Sequence, residues 1–236
     1  AQGLKAWEMK NGQRVGTSHP ERVGALFTRA YRLWLSEWPG RHRERVSTVC
    51  AVQAGWADMS TRIIDWCHRE NLGDVVSAAG YFGPDDSIYR QWDARGAALT
   101  ADEVIADMRQ VIAEQGRAES SLVQIARHAH RLGKAFANYE GGQHIQPKGQ
   151  QDLPYLPALK AAQTHPAMYD LYVENLRLQR KLGSRMFCAF NSIGKQGNRY
   201  GSWGAKESFD QPDQASPKMR ALLDCNVPRP HMPAAE

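Results

Sequence analysis

The chain has 236 residues, 42% of them hydrophobic, enough for one sizeable domain with its own core. A formal net charge of +5 is mildly basic, but Lys and Arg are scattered. The densest run, Arg41-His-Arg-Glu-Arg45, reads as a solvated connection, so neither nucleic acid nor a membrane is an expected partner.

Residues 1–18 read as a polar, glycine-punctuated remnant or linker with Trp7 and Met9 as its large apolar anchors. The opening Ala1-Gln2-Gly3 carries no initiator Met and no signal-peptide pattern, as expected of a processed or partial chain. Ser18-His19-Pro20-Glu21 then predicts a helix start, with a capping Ser and Pro in the first turn. Val23, Leu26, Phe27, Ala30, Tyr31, Trp34 and Leu35 follow at helical spacing, and Trp38-Pro39-Gly40 ends that helix. Val46 to Gln53 is a nearly continuous apolar run of the kind found in strands covered on both faces. Asp58 or Ser60 is placed to cap a second helix bearing Ile63, Ile64, Trp66 and Cys67. Tyr31, Trp34 and Trp66 read as core.

Val75 to Tyr81 predicts the next strand, and Phe82 to Leu99 a long connection. Two helices follow, Ala101 to about Glu114 and Ser120 to Leu132, with Thr100 and Glu103 in capping-box spacing. Ala135 to Tyr139 predicts a short buried strand that delivers Glu140 to its C-terminal end. Gly141 and Gly142 then turn the backbone where no side chain crowds a ligand. A Gln-, Gly- and Pro-rich loop spans Gln146 to Pro157, followed by a helix from about Pro166 to Leu182 and a strand from Arg185 to Asn191. A glycine-rich, aromatic loop (Ser192 to Phe209) and a short helix (Pro217 to Leu223) complete the domain. The proline-containing tail, placed here from residue 225 to 236, is expected to be disordered. Alternating buried-type strands and helices predict an α/β fold with a parallel sheet.

The four cysteines read as buried free thiols, because Cys50 and Cys188 lie in apolar strand-like runs and Cys67 on an apolar helix face. No metal is expected: there is no Cys-x-x-Cys pair, and His128 and His130 are two apart on a helix and face different sides. Gln53-Ala-Gly-Trp-Ala lacks the spacing of a nucleotide-binding loop, and no cofactor is expected. Gly201-Ser202-Trp203-Gly204 lacks the spacing of a nucleophile elbow.

In parallel α/β folds, strand C-termini and the loops after them form the active face. The predicted ends carry Gln53 and Trp56, Tyr81 and Phe82, Glu140 with Gln143 and His144, and Asn191 with Tyr200 and Trp203. A carboxylate, amides and aromatic rings suit sugars, whose C–H faces stack on rings while hydroxyls seek planar hydrogen-bond partners. A solvated acid capping a turn is the plain alternative for Glu140.

Asn138-Tyr-Glu-Gly-Gly-Gln-His144, Met168-Tyr-Asp-Leu-Tyr172, Phe190-Asn191, Gly201-Ser-Trp-Gly204 and Ser216-Pro-Lys218 carry a resemblance. They resemble the C-terminal half of bacterial proteins labelled cellulose-binding, which are similar to (β/α)8-barrel retaining glycoside hydrolases. The resemblance covers most of residues 19–224 and implies a partial barrel comprising its last four strands with their helices. It matches Glu140 to the nucleophile on the seventh strand. It implies substrate contacts from Gln53, Tyr81, Asn138, Gln143, His144, Asn191 and Trp203, and a secreted or extracellular setting. The acid/base glutamate would sit in an Asn-Glu motif on the fourth strand, and the 236 residues contain no Asn-Glu pair. The expected function is therefore binding to, or action on, a polysaccharide such as a β-glucan, with little turnover by this chain. The expected partner is the N-terminal half of the barrel or an oligomeric neighbour. A non-catalytic polysaccharide-binding protein and an unrelated small α/β domain are the other readings.

Overall fold

The computed structural model describes residues 19–38 and 40–226, as eight α-helices and five strands of an α/β fold. In chain order these are α1 (His19–Ser36), β1 (Val49–Val52), α2 (Ala57–Arg69), β2 (Val75–Ala78), β3 (Gly80–Phe82), α3 (Asp86–Arg95), α4 (Ala101–Gln115) and α5 (Ser121–Arg131). Then come β4 (Ala135–Gln143), α6 (Leu156–Thr164), α7 (Met168–Lys181), β5 (Ser184–Ala189) and α8 (Pro217–Cys225). The expectations for Trp7, Met9 and the tail beyond Asn226 fall outside the described residues.

The sheet runs in the order β1-β2-β4-β3, with β5 also paired to β4. β1 and β2 are parallel with Val49 opposite Val75, and β2 and β4 are parallel with Val75 opposite Ala135. Helices occupy the connections between these parallel neighbours, because a parallel pair needs a long crossover.

Two compact units are formed, each with its own core. The first takes the described residues up to Gly80, Gln115–Glu140 and Gln179–Phe187; the second takes Tyr81–Glu114, Gly141–Leu178 and residues from Cys188 on. In the first, Cys50, Val76 and Phe136 of the strands pack with Ile63 and Ile64 of α2 and Ile125 of α5. Fully burying side chains of this size stabilises by about 1.5–3 kcal/mol each. In the second, Phe82, Trp92, Met108, Met168 and Leu171 form the core. Trp92 is admitted because its Nε1–H donates to Asp107 Oδ2 at 2.7 Å.

Local chemistry sets the helix starts. Thr100 and Glu103 form the reciprocal capping box that their spacing predicts: the Thr100 N–H donates to Glu103 Oε2 at 2.9 Å and the Glu103 N–H to Thr100 Oγ1 at 3.3 Å. Ser120 caps α5 by accepting from the Val123 N–H. α2 starts earlier than expected, at Ala57, because the Ser60 hydroxyl donates to the Gln53 carbonyl oxygen instead of capping. The long connection after Phe82 contains α3, whose N-cap Asp85 accepts from the N–H groups of Ser87 and Ile88 at 2.8 and 2.9 Å.

Three burial expectations are corrected. Trp34 is 66% exposed, since the buried stripe of α1 runs through Pro20, Gly24, Ala25 and Thr28. Trp66 is half-buried, seated against Gly24, where a Cβ would lie 2.7 Å from the Trp66 Cβ. Cys188 is exposed, because Ser184 alone is buried along β5.

The glycine pair after Glu140 makes no turn either. β4 continues through Gln143, so Glu140 lies within the strand and not at its end. The Gly141 carbonyl accepts from the Phe190 N–H at 2.9 Å, and the His144 N–H donates to the Phe82 carbonyl at 2.7 Å. Gly142 has φ +132°, and a Cβ there would stand 2.9 Å from the Tyr172 hydroxyl. The glycine thus serves close approach by Tyr172, whose hydroxyl accepts from the Gln143 N–H.

Candidate functional site

The first unit holds three of the candidate residues. Gln53 follows β1 directly and is exposed. Asn138, by contrast, is fully buried and fully engaged. Its Nδ2 donates to the Ala78 carbonyl at 3.2 Å and to Gln179 Oε1 at 2.9 Å, and its Oδ1 accepts from the Ser184 hydroxyl at 2.6 Å. Expected as a ligand contact, Asn138 instead braces β4 against its neighbours. Glu140 is half-buried in the same strand. Beside it, the exposed Tyr139 hydroxyl is held above its ordinary pKa, first by partial burial and then by the Glu140 charge.

Tyr81, Gln143, His144, Asn191 and Trp203 belong to the second unit, which brings most of them together. Tyr81 meets His144 edge-on with ring centroids 5.0 Å apart, and His144 meets Trp203 at 5.7 Å. Phe190 closes the group, 6.5 Å from Tyr81 and 5.9 Å from Trp203, while remaining 40% exposed. The result is a continuous ring cluster with edges and faces turned to one another. Gly83 makes room for it, since a Cβ there would fall 2.8 Å from the His144 Cβ. Gln146 Nε2 lies 3.0 Å from His144 Nε2.

Two buried polar atoms in this neighbourhood, Asn191 Oδ1 and Trp203 Nε1, have no hydrogen-bond partner among the described residues. Such atoms are costly to leave unpaired, and both are shut off from solvent in this structure. Asn191 sits after β5, where its carbonyl accepts from the Ala205 N–H at 2.8 Å. The Ser192 carbonyl accepts from the Lys206 N–H at 3.0 Å, and the Lys206 carbonyl from the Gly194 N–H at 2.9 Å. These bonds clamp two arms of one loop together. Glycines are required where they touch, because a Cβ on Gly204 would lie 2.3 Å from the Gly194 nitrogen.

Gln143 is fully buried below this loop. Its Nε2 donates to the Ser202 carbonyl at 2.8 Å, and its Oε1 accepts from the Ile145 N–H at 2.8 Å. Like Asn138, it is committed to protein partners and supports the site from behind. The residue that sequence reasoning missed is Lys218. It is only 1% exposed, and its Nζ donates to Gln163 Oε1 at 2.6 Å, to the Ser202 carbonyl at 2.7 Å and to the Gly204 carbonyl at 3.4 Å. Burial lowers its pKa to about 7, opposed by the charge of Glu207. The only signal was the Ser216-Pro217-Lys218 motif itself, since lysines are almost never fully buried.

The helical histidines are occupied elsewhere, each with its own partner. His128 Nε2 lies 2.7 Å from Asp65 Oδ1, and His130 Nε2 lies 2.9 Å from the Leu182 carbonyl oxygen. A separate cleft of about 190 Å³ in the second unit is lined by Tyr89, Asp93, Lys148 and Tyr155. Its ionisable groups are paired internally: Lys148 Nζ sits 3.0 Å from Asp86 Oδ1, and the Tyr155 hydroxyl donates to Asp93 Oδ1 at 2.7 Å. Among the described residues, no helix is long and apolar enough to cross a membrane.

No family model matches the chain, and no curated protein matches it.

Proposed function

We propose that this chain is a carbohydrate-recognising protein of glycoside-hydrolase type, its parallel sheet corresponding to the last four strands of a (β/α)8 barrel. The observation that carries the carbohydrate reading is the Tyr81–His144–Trp203–Phe190 ring cluster beside Asn191. Rings with exposed surface, such as Phe190, offer faces for sugar C–H groups. The barrel reading is supported by β1, β2 and β4 lying side by side in parallel with helical crossovers between them.

Binding, rather than hydrolysis, is the activity assigned to these 236 residues. Retaining hydrolysis needs two carboxyls about 5–5.5 Å apart. The resemblance matches one, Glu140, and assigns the other to an Asn-Glu pair that the sequence lacks. β1 ends the sheet order, which suits a partner that supplies further strands, either the other half of a barrel or a second copy, and the exposed Val49 and Met186 suit a covering surface. The ligand class is a polysaccharide such as a β-glucan, and the resemblance suits work outside the cell.

The test is retention of the purified chain on insoluble cellulose, compared with Trp203→Ala of unchanged circular dichroism. Retention that falls about tenfold or more in the variant supports the reading. A wild-type chain that is not retained on cellulose or on other insoluble β-glucans overturns it.

A further inference from the structure

We infer that the Ser216-Pro217-Lys218 turn is a clamp that sets the position of Trp203, with Lys218 as its positioning residue. The inference rests on the reading above only where Trp203 is taken to touch glycan; the clamp itself stands on the protein's own bonds.

Three grips fall on the backbone around Trp203, at the carbonyls of Ser202, Gly204 and Ala205. Lys218 Nζ donates to the carbonyls of Ser202 and Gly204, the two residues that flank it, at 2.7 and 3.4 Å. The Ser216 hydroxyl donates to the next carbonyl, that of Ala205, while its oxygen accepts from the Met219 N–H at 3.3 Å and caps α8. Pro217 occupies the first turn of α8, where its missing N–H costs nothing and its fixed φ holds Ser216 and Lys218 in register. From behind, Gln163 ties the lysine to Gln143, which makes a second bond to the Ser202 carbonyl at 2.8 Å.

A purely structural position at 218 would be better served by an apolar side chain of similar volume, because burying an ammonium carries a large desolvation cost. None of the three acceptors on Lys218 is a carboxylate. In its charged form the buried lysine provides three donors from one atom, enough to hold two carbonyls of an irregular loop and a side-chain amide together. The loop needs that hold, since it has no helix or strand of its own between Ser192 and Phe209 beyond the Ile193–Lys206 bridge.

The experiment is hydrogen–deuterium exchange on the full chain, read in peptides covering Gly201–Lys206, for Lys218→Met and Ser216→Ala. Cellulose retention is measured in parallel. The clamp predicts exchange about tenfold faster in Gly201–Lys206, the equivalent of about one lost hydrogen bond, with exchange around Phe136 unchanged and retention reduced. Ser216→Ala removes a single hydroxyl and decides the matter if Lys218→Met does not fold. Unchanged exchange at Gly201–Lys206 in folded variants, or a rise spread evenly over both units in Ser216→Ala, overturns the clamp. Localised loosening in a chain whose wild type ignores cellulose keeps the clamp and removes the glycan reading.

Discussion

The Ser184 hydroxyl donates to Asn138 Oδ1 across 2.6 Å, joining the first residue of β5 to the middle of β4. Asn138 Nδ2 reaches the Ala78 carbonyl on β2 and Gln179 Oε1 on α7. One fully buried amide therefore links four elements, in a place where each unmet partner is expensive. Asn138→Ala is expected to destabilise by about 3 kcal/mol, from lost bonds and stranded acceptors. Urea unfolding followed by circular dichroism reads this directly. A change below about 1 kcal/mol would mean that water replaces the amide, and that Asn138 is open to ligand after all.

Gly142 makes a sharper prediction about why two glycines follow Glu140. A Cβ at φ +132° would be strained, and it would also meet the Tyr172 hydroxyl at 2.9 Å. Gly142→Ala is expected to cost about 3 kcal/mol, part strain and part overpacking. Adding Tyr172→Phe removes the clashing atom, so the double variant should be less damaged than the two single costs added. Additive costs in that cycle would place the whole effect in the backbone.

Much of this architecture was legible because local chemistry and tertiary context agree. The Thr100–Glu103 box, the Ser120 cap and Ser216-Pro217 start helices where their residue types say they should. Reading failed where tertiary partners reassigned a residue. Ser60 was a plausible cap until the Gln53 carbonyl took its hydroxyl. Gly141-Gly142 looked like a turn because a preference for Tyr172 at close range leaves no local trace. α3 was missed although Asp85 announces it, because the surrounding Pro, Gly and Asp density reads as loop. In the site, Tyr81, His144 and Trp203 were expected on one rim, and Tyr81 and Trp203 each meet the His144 ring. Asn138 and Gln143 were taken as ligand contacts because side-chain type cannot say which amides are turned inward. Lys218 could not be found at all from composition, since burial of a lysine is a property of its neighbours.

Lys218 gives the protein a distinctive pH dependence. Its pKa in the fold is lowered to about 7 from 10.5, by burial first, with Glu207 acting in the opposite sense. Between those values the unfolded chain binds more protons than the native one, so native stability rises with pH across the window. Below about 7 the ionisation penalty is present in full. Lys218→Met lacks this contribution, so the stability of the wild type relative to the variant should improve from pH 6 towards pH 10, by up to about 1.4 kcal/mol per unit. Denaturant midpoints of both proteins across that range provide the check. A constant difference would show that the lysine titrates normally and is reached by water.

Glu140 and Trp203 should separate cleanly by assay. A ring that stacks on sugar contributes affinity whether or not chemistry follows, so Trp203→Ala should lower retention on cellulose about tenfold, close to 1.4 kcal/mol. On the proposed reading Glu140 has no acid partner, and so lacks the leaving-group protonation that accounts for about 10²–10⁴-fold of rate. Turnover of an aryl β-glucoside by the 236-residue chain should therefore stay at background, and Glu140→Gln should leave it there. The same variant should keep its retention, because neutralising a half-buried carboxylate in β4 removes no ring. If instead the chain hydrolyses the substrate and Glu140→Gln abolishes this, a second acid already stands opposite Glu140. The protein would then be a complete hydrolase, with the acid/base role outside any Asn-Glu pair.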